Sequence, residues 1–401
     1  MKAISQKILE MRKEMLEELE NDILPFWMHR MIDNENGGFI GRISGAGEAD
    51  VSAPKGAILN ARILWAFSSA YRVLGKAEYL ETATRAKREI IDRFYDKEYG
   101  GVFWSLDSEG RPLDTRKQIY ALGFAVYGLS EYNRATGDTE ALEYAVKLFD
   151  DIESHSFDRE KNGYLEAFTR EWGSISDMRL SEKDINECKT MNTHLHIIEP
   201  YTALYRVWRN PLLCSRLHNL AGIFSDLILD SGTGHLKLFF NEDWISSHRI
   251  VSYGHDIEAS WLLWETAGVL GDRELEERLR PVCIRVAEAA AEGYLPGGGM
   301  LYELHGNGAV DADRHWWVQA ETVAGYFNIW QMTGDIASLD KALDCWQFIK
   351  KHIIDRQHGE WLWSLKADGT GNTRDDKAGF WKCPYHNSRM CLEIIERTLD
   401  L

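Results

Sequence analysis

Three histidines, His196, His255 and His386, are the residues of this chain best suited to chemistry. An imidazole titrates close to neutral pH, so it can take up or release a proton at working pH. His255 and Glu258 are three residues apart, and on a helix they share a face where the carboxylate can orient the ring. His194 and His196 diverge on a helix, which disfavours joint metal ligation, although a strand would permit it. Proton transfer and metal binding are both open from these motifs alone.

Four segments each place a polar group beside an aromatic residue near the start of a predicted helix. The second contains His196 and the third contains His255. In the first segment Arg62 lies in an apolar stripe next to Trp65, where it can hold a sugar oxygen or an oxyanion, or pair with a core carboxylate. In the last, Pro384 favours a helix start, which puts His386 in the first turn and Trp381 in the preceding loop. Supporting candidates are Tyr120 and the pair Trp316 and Trp317 with Glu321, a group that suits a core equally well.

The elements that must position these residues repeat along the chain. A loop of glycine followed by aromatic or apolar residues returns six times, at spacings of about 60–71 residues. The copies contain Gly38, Gly101, Gly163, Gly234, Gly299 and Gly359. Stretches between the loops have helical periodicity, among them 59–73, 119–136, 141–152, 257–270, 275–291, 316–332 and 337–353. Two helices and a short β-hairpin per repeat predict an all-α (α/α)6 toroid, with an open solenoid as the alternative.

Composition narrows the possible classes of protein. The 401 residues have a formal net charge of −17, which argues against nucleic acid and anionic membranes as partners. No apolar run approaches the roughly 20 residues that a membrane-spanning helix needs. Residues 1–20 are charged and helix-like and lack the apolar block of a signal peptide. The six cysteines contain no CxxC pair, so we expect reduced thiols in a cytoplasmic protein.

Several common catalytic motifs are missing from the sequence. It contains no GxxxxGK[ST] loop, no GxGxxG after a strand and no GxSxG turn, so nucleotide binding and a serine hydrolase have no local support. No linker rich in Pro or Ser interrupts the repeats, and we therefore expect one domain over residues 1–401.

Five segments together resemble the N-acylglucosamine 2-epimerase superfamily, and most closely its cellobiose 2-epimerase branch. In chain order they read KGAILNARILW, MNTHLHIIEPYTALYR, SYGHDIEASWLLWE, RHWWVQAE and FWKCPYHNSR. The resemblance extends from Phe26 to Met390, and each segment is less specific than the combination. It implies the same (α/α)6 fold that the repeat predicts independently.

The resemblance also implies roles for individual residues. It makes His255 and His386 the two acid–base residues, with His196 assisting ring opening and steadying the intermediate. The residues that it assigns to binding, orienting or stacking on the substrate are Arg62, Tyr120, Asn192, Glu258, Trp381 and one of Trp316 and Trp317. The expected activity is inversion of C2 in the reducing-end glucose of β-1,4-linked disaccharides, through an enediol or enediolate.

Other functions stay open at this stage. A mannose 2-epimerase or an aldose–ketose isomerase uses the same intermediate, an inverting glycoside hydrolase occurs on the same fold, and a glycan-binding toroid needs no catalyst. We expect a small oligosaccharide as the partner, no cofactor and no metal, and either a monomer or a weak homodimer. The loop before His386 differs from that of the N-acylglucosamine epimerases proper, which makes that activity less favoured.

Overall fold

The computed structural model describes residues 2–401, and Met1, the first residue of the predicted N-terminal helix, lies outside that range. The α-helices are α1 (Lys2–Glu18), α2 (Leu24–Arg30), α3 (Ala57–Leu74), α4 (Ala77–Glu89), α5 (Ile119–Thr136), α6 (Thr139–His155), α7 (Met191–Val207), α8 (Pro211–Ile223), α9 (Tyr253–Leu270), α10 (Arg273–Ala290), α11 (Trp316–Thr333), α12 (Ile336–His352) and α13 (His386–Arg397). Single π-helical turns follow α1, α4 and α8, and a 3₁₀ turn follows α10. All the helical stretches predicted from periodicity are confirmed.

The strands are short and lie in the loops between helices. They are β1 (Arg42–Ile43), β2 (Ala49–Asp50), β3 (Lys55–Gly56), β4 (Ser105–Leu106), β5 (Pro112–Asp114), β6 (Lys117–Gln118), β7 (Ala167–Phe168), β8 (Lys189–Thr190), β9 (Phe239–Phe240), β10 (Ile250–Ser252), β11 (Glu303–His305), β12 (Val310–Asp311), β13 (Arg314–His315) and β14 (Ser364–Leu365). Every pairing among these strands is antiparallel.

Six helices form a closed inner ring. Helices α3, α5, α7, α9, α11 and α13 pack against one another in that order, and α13 packs back on α3. These helices are apolar on nearly all sides because each is covered by neighbours. Ile63 and Phe67 of α3, for example, are fully buried, and burial of such a side chain contributes about 1.5–3 kcal/mol. The predicted toroid is confirmed, and the open solenoid is excluded.

Six outer helices surround the ring, and the sixth comes from the other end of the chain. Helices α4, α6, α8, α10 and α12 each follow their inner partner directly, whereas α13 is paired with α1. Glu14 of α1 accepts hydrogen bonds from Trp346 Nε1 at 2.7 Å and Lys350 Nζ at 2.6 Å, which joins α1 to α12. The prediction of two helices in each repeat therefore fails for the last repeat, because α13 pairs with α1 from the other end of the chain.

The six repeated loops share one backbone feature. An isolated antiparallel bridge closes each one: Ile32 with Phe39, Tyr95 with Val102, Phe157 with Tyr164, Leu229 with Leu236, Tyr294 with Met300, and Ile354 with Trp361. Gly101 needs its glycine because its φ is +66° and an added Cβ would lie 3.0 Å from the Trp172 ring. Strands that precede α3, α5, α7, α9 and α11 pair with a strand of the next loop. This framework brings the first turns of the inner helices to one rim of the toroid.

Two further expectations concern the chain as a whole. All six cysteines, which lie within residues 2–401, are free thiols, as the sequence predicts. Among the described residues no helix is both long enough and apolar enough to cross a bilayer.

Candidate active site

A cavity of about 780 Å³ opens at the rim where the inner helices begin. All ten residues that the sequence predicts for the site line it: Arg62, Tyr120, Asn192, His196, His255, Glu258, Trp316, Trp317, Trp381 and His386. They come from the starts of α3, α5, α7, α9, α11 and α13 and from the loop before α13. The sequence repeat therefore places polar and aromatic residues from all six inner helices around one cavity.

The two histidines of α7 face different groups, as their spacing predicts. Nδ1 of His194 contacts the Thr190 carbonyl at 2.6 Å, and Nε2 accepts from the Tyr164 backbone N–H at 2.9 Å, which fixes the neighbouring loop. His196 turns to the cavity, with Nδ1 2.9 Å from Glu199 Oε2. A metal site shared by the two rings is therefore excluded.

His196 lies at a break in α7. Its φ of −90° and ψ of 16° are not helical. Pro200, four residues later, lacks the N–H that would bond to the His196 carbonyl, and this is the usual cause of such a kink. Gly123 of α5 makes room there, because a Cβ would lie 2.4 Å from the His196 carbonyl oxygen. The kink turns the first part of α7 relative to the rest of the helix.

His255 is held by a hydroxyl group and not by the carboxylate that the spacing suggests. Its Nδ1 lies 2.8 Å from Ser252 Oγ. Glu258 lines the same cavity, but its Oε1 accepts from Arg389 Nη2 at 2.6 Å. The expectation that Glu258 orients the His255 ring is corrected here: a guanidinium from α13 binds the carboxylate, and this pairing is not visible in local spacing.

His386 is held by a carboxylate. Its Nδ1 lies 2.7 Å from Glu321 Oε1, and the same oxygen accepts from Arg389 Nη2 at 2.6 Å. A carboxylate can only accept, so this contact assigns the proton of the neutral ring to Nδ1 and leaves a lone pair on Nε2. The geometry suits a general base.

Trp317 lies between the two candidate acid–base residues. Its ring centroid is 4.8 Å from that of His255 and 5.5 Å from that of His386. The α9 backbone can approach this indole because residue 254 is glycine; a Cβ there would lie 2.7 Å from the ring. The two imidazoles therefore share one aromatic wall of one cavity.

The other tryptophans occupy different parts of the wall. Trp316 packs on Trp363, with centroids 4.6 Å apart, and on the Lys382 ammonium group at 5.1 Å. Trp381 lies edge-on to Tyr120 at 6.2 Å. Trp317 is the member of the Trp316–Trp317 pair in contact with the histidines, and which of the two stacks on a sugar stays open.

Within residues 2–401 no carboxylate pairs with Arg62, so the structure does not show the core ion pair that was its alternative role. Its guanidinium donates to Tyr120 Oη at 2.8 Å and to Cys383 Sγ at 3.6 Å, and it lies 4.1 Å from the Phe124 ring centroid. Burial raises the pKa of Tyr120, so the phenol stays protonated at neutral pH. A buried cation of this kind can stabilise negative charge on a substrate oxygen.

A buried ionic network supports the floor of the site, and sequence reasoning missed most of it. Arg389 is 1% exposed and bonds to Glu199, Glu258 and Glu321, which come from three different inner helices. Tyr385 also donates to Glu199. In the sequence, two local spacings pointed to this network: Glu199 follows His196 by three residues, and Arg389 follows His386 by three residues.

Burial makes both candidate bases weakly basic. Desolvation, followed by the nearby His196, lowers the pKa of His255 to about 3. Desolvation and the cations Arg62 and Arg389 lower the pKa of His386 well below its usual value. These shifts favour the neutral form of both rings, which is the form able to accept a proton. Glu258 shows the opposite shift, since burial and the neighbouring Glu321 raise its pKa well above the usual range.

Four buried polar atoms of the lining have no hydrogen-bond partner within the described residues. They are Arg62 Nε, Asn192 Oδ1, Glu258 Oε2 and Trp316 Nε1. Unpaired buried polar groups cost about 1–3 kcal/mol each, so such atoms are usually kept for a ligand or for water. A polyhydroxylated ligand would satisfy donors and acceptors together.

One cluster of the site could bind a metal. The nearest ligand atoms of Glu258, Glu321 and His386 lie within 4.8 Å of one another. Nη2 of Arg389 already bonds to one oxygen of each glutamate, at 2.6 Å in both cases. A guanidinium therefore supplies positive charge at this position, and the absence of a metal requirement stays a prediction.

The outer rim of the cavity was not predicted from the sequence. Lining residues from the loop before β8 are Met178, Arg179, Leu180, Ser181, Glu182, Lys183, Asp184, Ile185 and Glu187. Further lining residues from the segment 302–315 are Tyr302, Glu303, His305, Asp311, Asp313 and His315. Burial raises the pKa of Glu303 to about 7 and that of Glu166, deeper in the wall, to about 8. These loop residues have no helical period that would have pointed inwards.

Comparisons with known proteins show which family this chain belongs to. The family model of N-acylglucosamine 2-epimerase (GlcNAc 2-epimerase) matches residues 38–389. The chain is 63% identical to a cellobiose 2-epimerase of Bacteroides fragilis, over 96% of this chain and 98% of the relative. It is 43% identical to a cellobiose 2-epimerase of Ruminococcus albus, over 98% of this chain and the full relative.

Solved structures give the same result. The cellobiose 2-epimerase of Bacillus thermoamylovorans superposes with a TM-score of 0.92 at 43% identity, covering 96% of this chain and 99% of that one. The fold and the matched motifs define a carbohydrate epimerase of the helical toroid class. This chain belongs to the N-acylglucosamine 2-epimerase family.

Proposed function

We propose that this protein is a cellobiose 2-epimerase, an isomerase that inverts C2 of the reducing-end glucose in β-1,4-linked disaccharides. Cellobiose would become glucosyl-mannose, and lactose would become epilactose. The proposal is supported by relatives of this activity at 63% and 43% identity over nearly the whole chain. It is also supported by a site whose groups suit proton transfer on a neutral sugar.

The reaction needs an open sugar, because the C2 proton becomes acidic only when C1 is a carbonyl. His196, oriented by Glu199, would assist ring opening. One of the neutral imidazoles, His255 or His386, would then remove the C2 proton and leave an enediolate that is planar at C2. The other imidazole must enter this step protonated, although burial favours its neutral form, and it would return that proton to the opposite face. Each ring thus serves as base in one direction and acid in the other.

The charge that develops on the oxygens at C1 and C2 needs donors. Arg62 offers its unpaired Nε–H, and Tyr120 is fixed beside it by a 2.8 Å hydrogen bond. Donors preorganised in a dry pocket stabilise such an oxyanion more than water does, because they need no reorganisation. The chemistry in this proposal requires no cofactor.

The observation that carries the proposal is that His255 and His386 line one cavity and pack on the same indole, Trp317. An inverting glycoside hydrolase would need two carboxyl groups about 6.5–9.5 Å apart. The buried carboxylates Glu258 and Glu321 approach within 4.8 Å and share Arg389, which does not suit that role.

Product analysis tests the proposal. Incubation with cellobiose in deuterated water should give glucosyl-mannose with solvent deuterium at C2, seen by NMR. Glucose as product would indicate a hydrolase, glucosyl-fructose an isomerase, and unchanged cellobiose a binding protein. Parallel incubations with lactose, mannose and N-acetylglucosamine would define which sugar the site prefers.

A further inference from the structure

Ser252 departs from the usual behaviour of a serine at the start of a helix. It is the residue before α9, its backbone is extended (φ −111°, ψ 99°), and its side chain is 1% exposed. Serine in this position normally accepts a hydrogen bond from a backbone N–H of the first turn. Ser252 makes no such cap, and its Oγ lies 2.8 Å from Nδ1 of His255.

The equivalent residue of another inner helix shows the usual behaviour. Thr190 precedes α7, and its Oγ1 accepts from the Thr193 backbone N–H at 3.0 Å. Loss of a cap of this kind typically costs about 1 kcal/mol. The Ser252 hydroxyl is thus directed to an imidazole instead of to its own helix, and local rules are broken most often at functional sites.

The two candidate bases consequently have partners of different chemistry. Glu321 can only accept from His386, which holds that ring in one tautomer. A serine hydroxyl can donate or accept, so Ser252 can bond to His255 with Nδ1 either bare or protonated. His255 can therefore present to the cavity either a lone pair or an N–H at Nε2 without losing its partner.

We propose that Ser252 is a positioning residue that keeps His255 aimed at the substrate in both of its protonation states. This inference rests on the proposed epimerase function. When Nε2 takes the C2 proton, Nδ1–H donates to the serine oxygen and the ring is a cation. When Nε2 returns a proton to C2, the ring is neutral again and its contact with Ser252 is unchanged. No proton passes to the serine, so the balance of the reaction is that of the two imidazoles and the sugar.

Three variants test this role. In Ser252→Ala the ring loses its partner, and we expect kcat for cellobiose to fall by about 10–100-fold, as for other groups that orient an imidazole, with KM changed by less than about threefold. Ser252→Thr keeps the hydroxyl and should restore most of kcat. Ser260→Ala is the matched control, because Ser260 is buried on the same helix and donates only to the Ile257 carbonyl, at 2.7 Å.

The outcomes separate this inference from the proposed function. An unmodified protein that fails to epimerise cellobiose contradicts the function itself. With an active parent, a Ser252→Ala variant of unchanged kcat, or equal losses in Ser252→Ala and Ser252→Thr, overturns the positioning role. Thermal unfolding of each variant shows whether any loss reflects a damaged fold; a Ser252→Ala variant that unfolds at the parent temperature and has lost kcat supports the inference.

Discussion

The walls of the cavity on either side of α11 carry the same reacting group with different support. On the α13 side, His386 is held by Glu321, which also binds Arg389 within a buried ionic network. On the α9 side, His255 is held by a single neutral hydroxyl, that of Ser252. Trp317 of α11 contacts both rings. Two similar bases are thus positioned by one ionic and one neutral environment.

The difference indicates how each ring is controlled. A carboxylate can only accept, so it fixes the His386 tautomer, while the Ser252 hydroxyl can either accept from Nδ1 of His255 or donate to it. Burial keeps the pKa of both rings low, which favours the neutral form, so the ring that acts as the acid must take up a proton before the C2 step. The comparison predicts that turnover requires both rings equally. It also predicts that replacing the hydrogen-bond partner of each ring changes kcat by different amounts.

Loss of either imidazole should have the largest effect. We expect His255→Ala and His386→Ala each to lower kcat by about 10²–10⁴-fold, because a positioned acid–base group contributes that much. Initial rates with cellobiose and far-UV circular dichroism would measure activity and fold together. More than about a tenth of parental activity in either variant would refute the assignment of two bases.

Replacement of the carboxylate partner should have a smaller effect, confined to the α13 side. Glu321→Gln keeps the shape but removes the charge that faces His386 and Arg389, and we expect kcat to fall by about 10–100-fold. The free energy of unfolding should also fall, by about 1–3 kcal/mol, since a charge-assisted bond inside a buried network is lost. Urea unfolding and kcat measure the two effects, and unchanged values for both would show that the network is not coupled to His386.

The indole between the two rings should matter less than either ring. Trp317→Phe keeps an aromatic face but shortens it, and we expect about a tenfold loss in kcat/KM because both imidazoles lose packing. Trp316→Phe is the comparison variant, since Trp316 packs on Trp363 whereas Trp317 packs on the two histidines. A greater loss in Trp316→Phe than in Trp317→Phe would indicate that the substrate stacks on Trp316.

The pH dependence of the free energy of unfolding tests whether burial lowers the pKa of the imidazole rings. The pKa of His255 in the folded protein, about 3, is below the value of about 6.5 in an unfolded chain, so between these values the unfolded state binds more protons. The free energy of unfolding should therefore decrease as pH falls below about 6.5. His255→Asn should reduce this slope by at most about 1.4 kcal/mol per pH unit. Identical slopes for parent and variant, from urea unfolding near pH 7 and pH 5, would contradict the shift.

The fold could be predicted from sequence because it depends on local spacing, and the residues that line the cavity could be predicted from their motifs and from the family resemblance. Helical periodicity defined the helices, and the recurrent glycine loops defined the repeat. The rest depended on contacts between distant parts of the chain. Arg389 bonds to Glu258 and Glu321, which lie 131 and 68 residues away in sequence, so no local pattern showed that Glu258 was unavailable to His255.

Local sequence patterns also could not predict the pairing of α13 with α1 or the loops at the rim of the cavity. The partner of α13 is α1, and the evidence for that pairing lies at opposite ends of the chain. The rim loop at 178–187 is irregular and is held in part by backbone contacts, such as that of Gln118 Nε2 with the Arg179 carbonyl at 3.0 Å. Irregular loops have no period from which an inward face could be predicted.

Removal of divalent ions by chelation should have the smallest effect on activity. It tests whether the α13 wall of the cavity binds a metal that the α9 wall does not. On the α13 side, Glu258, Glu321 and His386 approach closely enough to bind an ion, whereas His255 belongs to no such cluster within the described residues. Arg389 Nη2 already bonds to one oxygen of each glutamate, so a divalent ion would have to displace a buried guanidinium. We therefore expect full activity after dialysis against EDTA. Loss of activity that a divalent ion restores would show that the α13 wall binds a metal, and that Arg389 has a different position in the active enzyme.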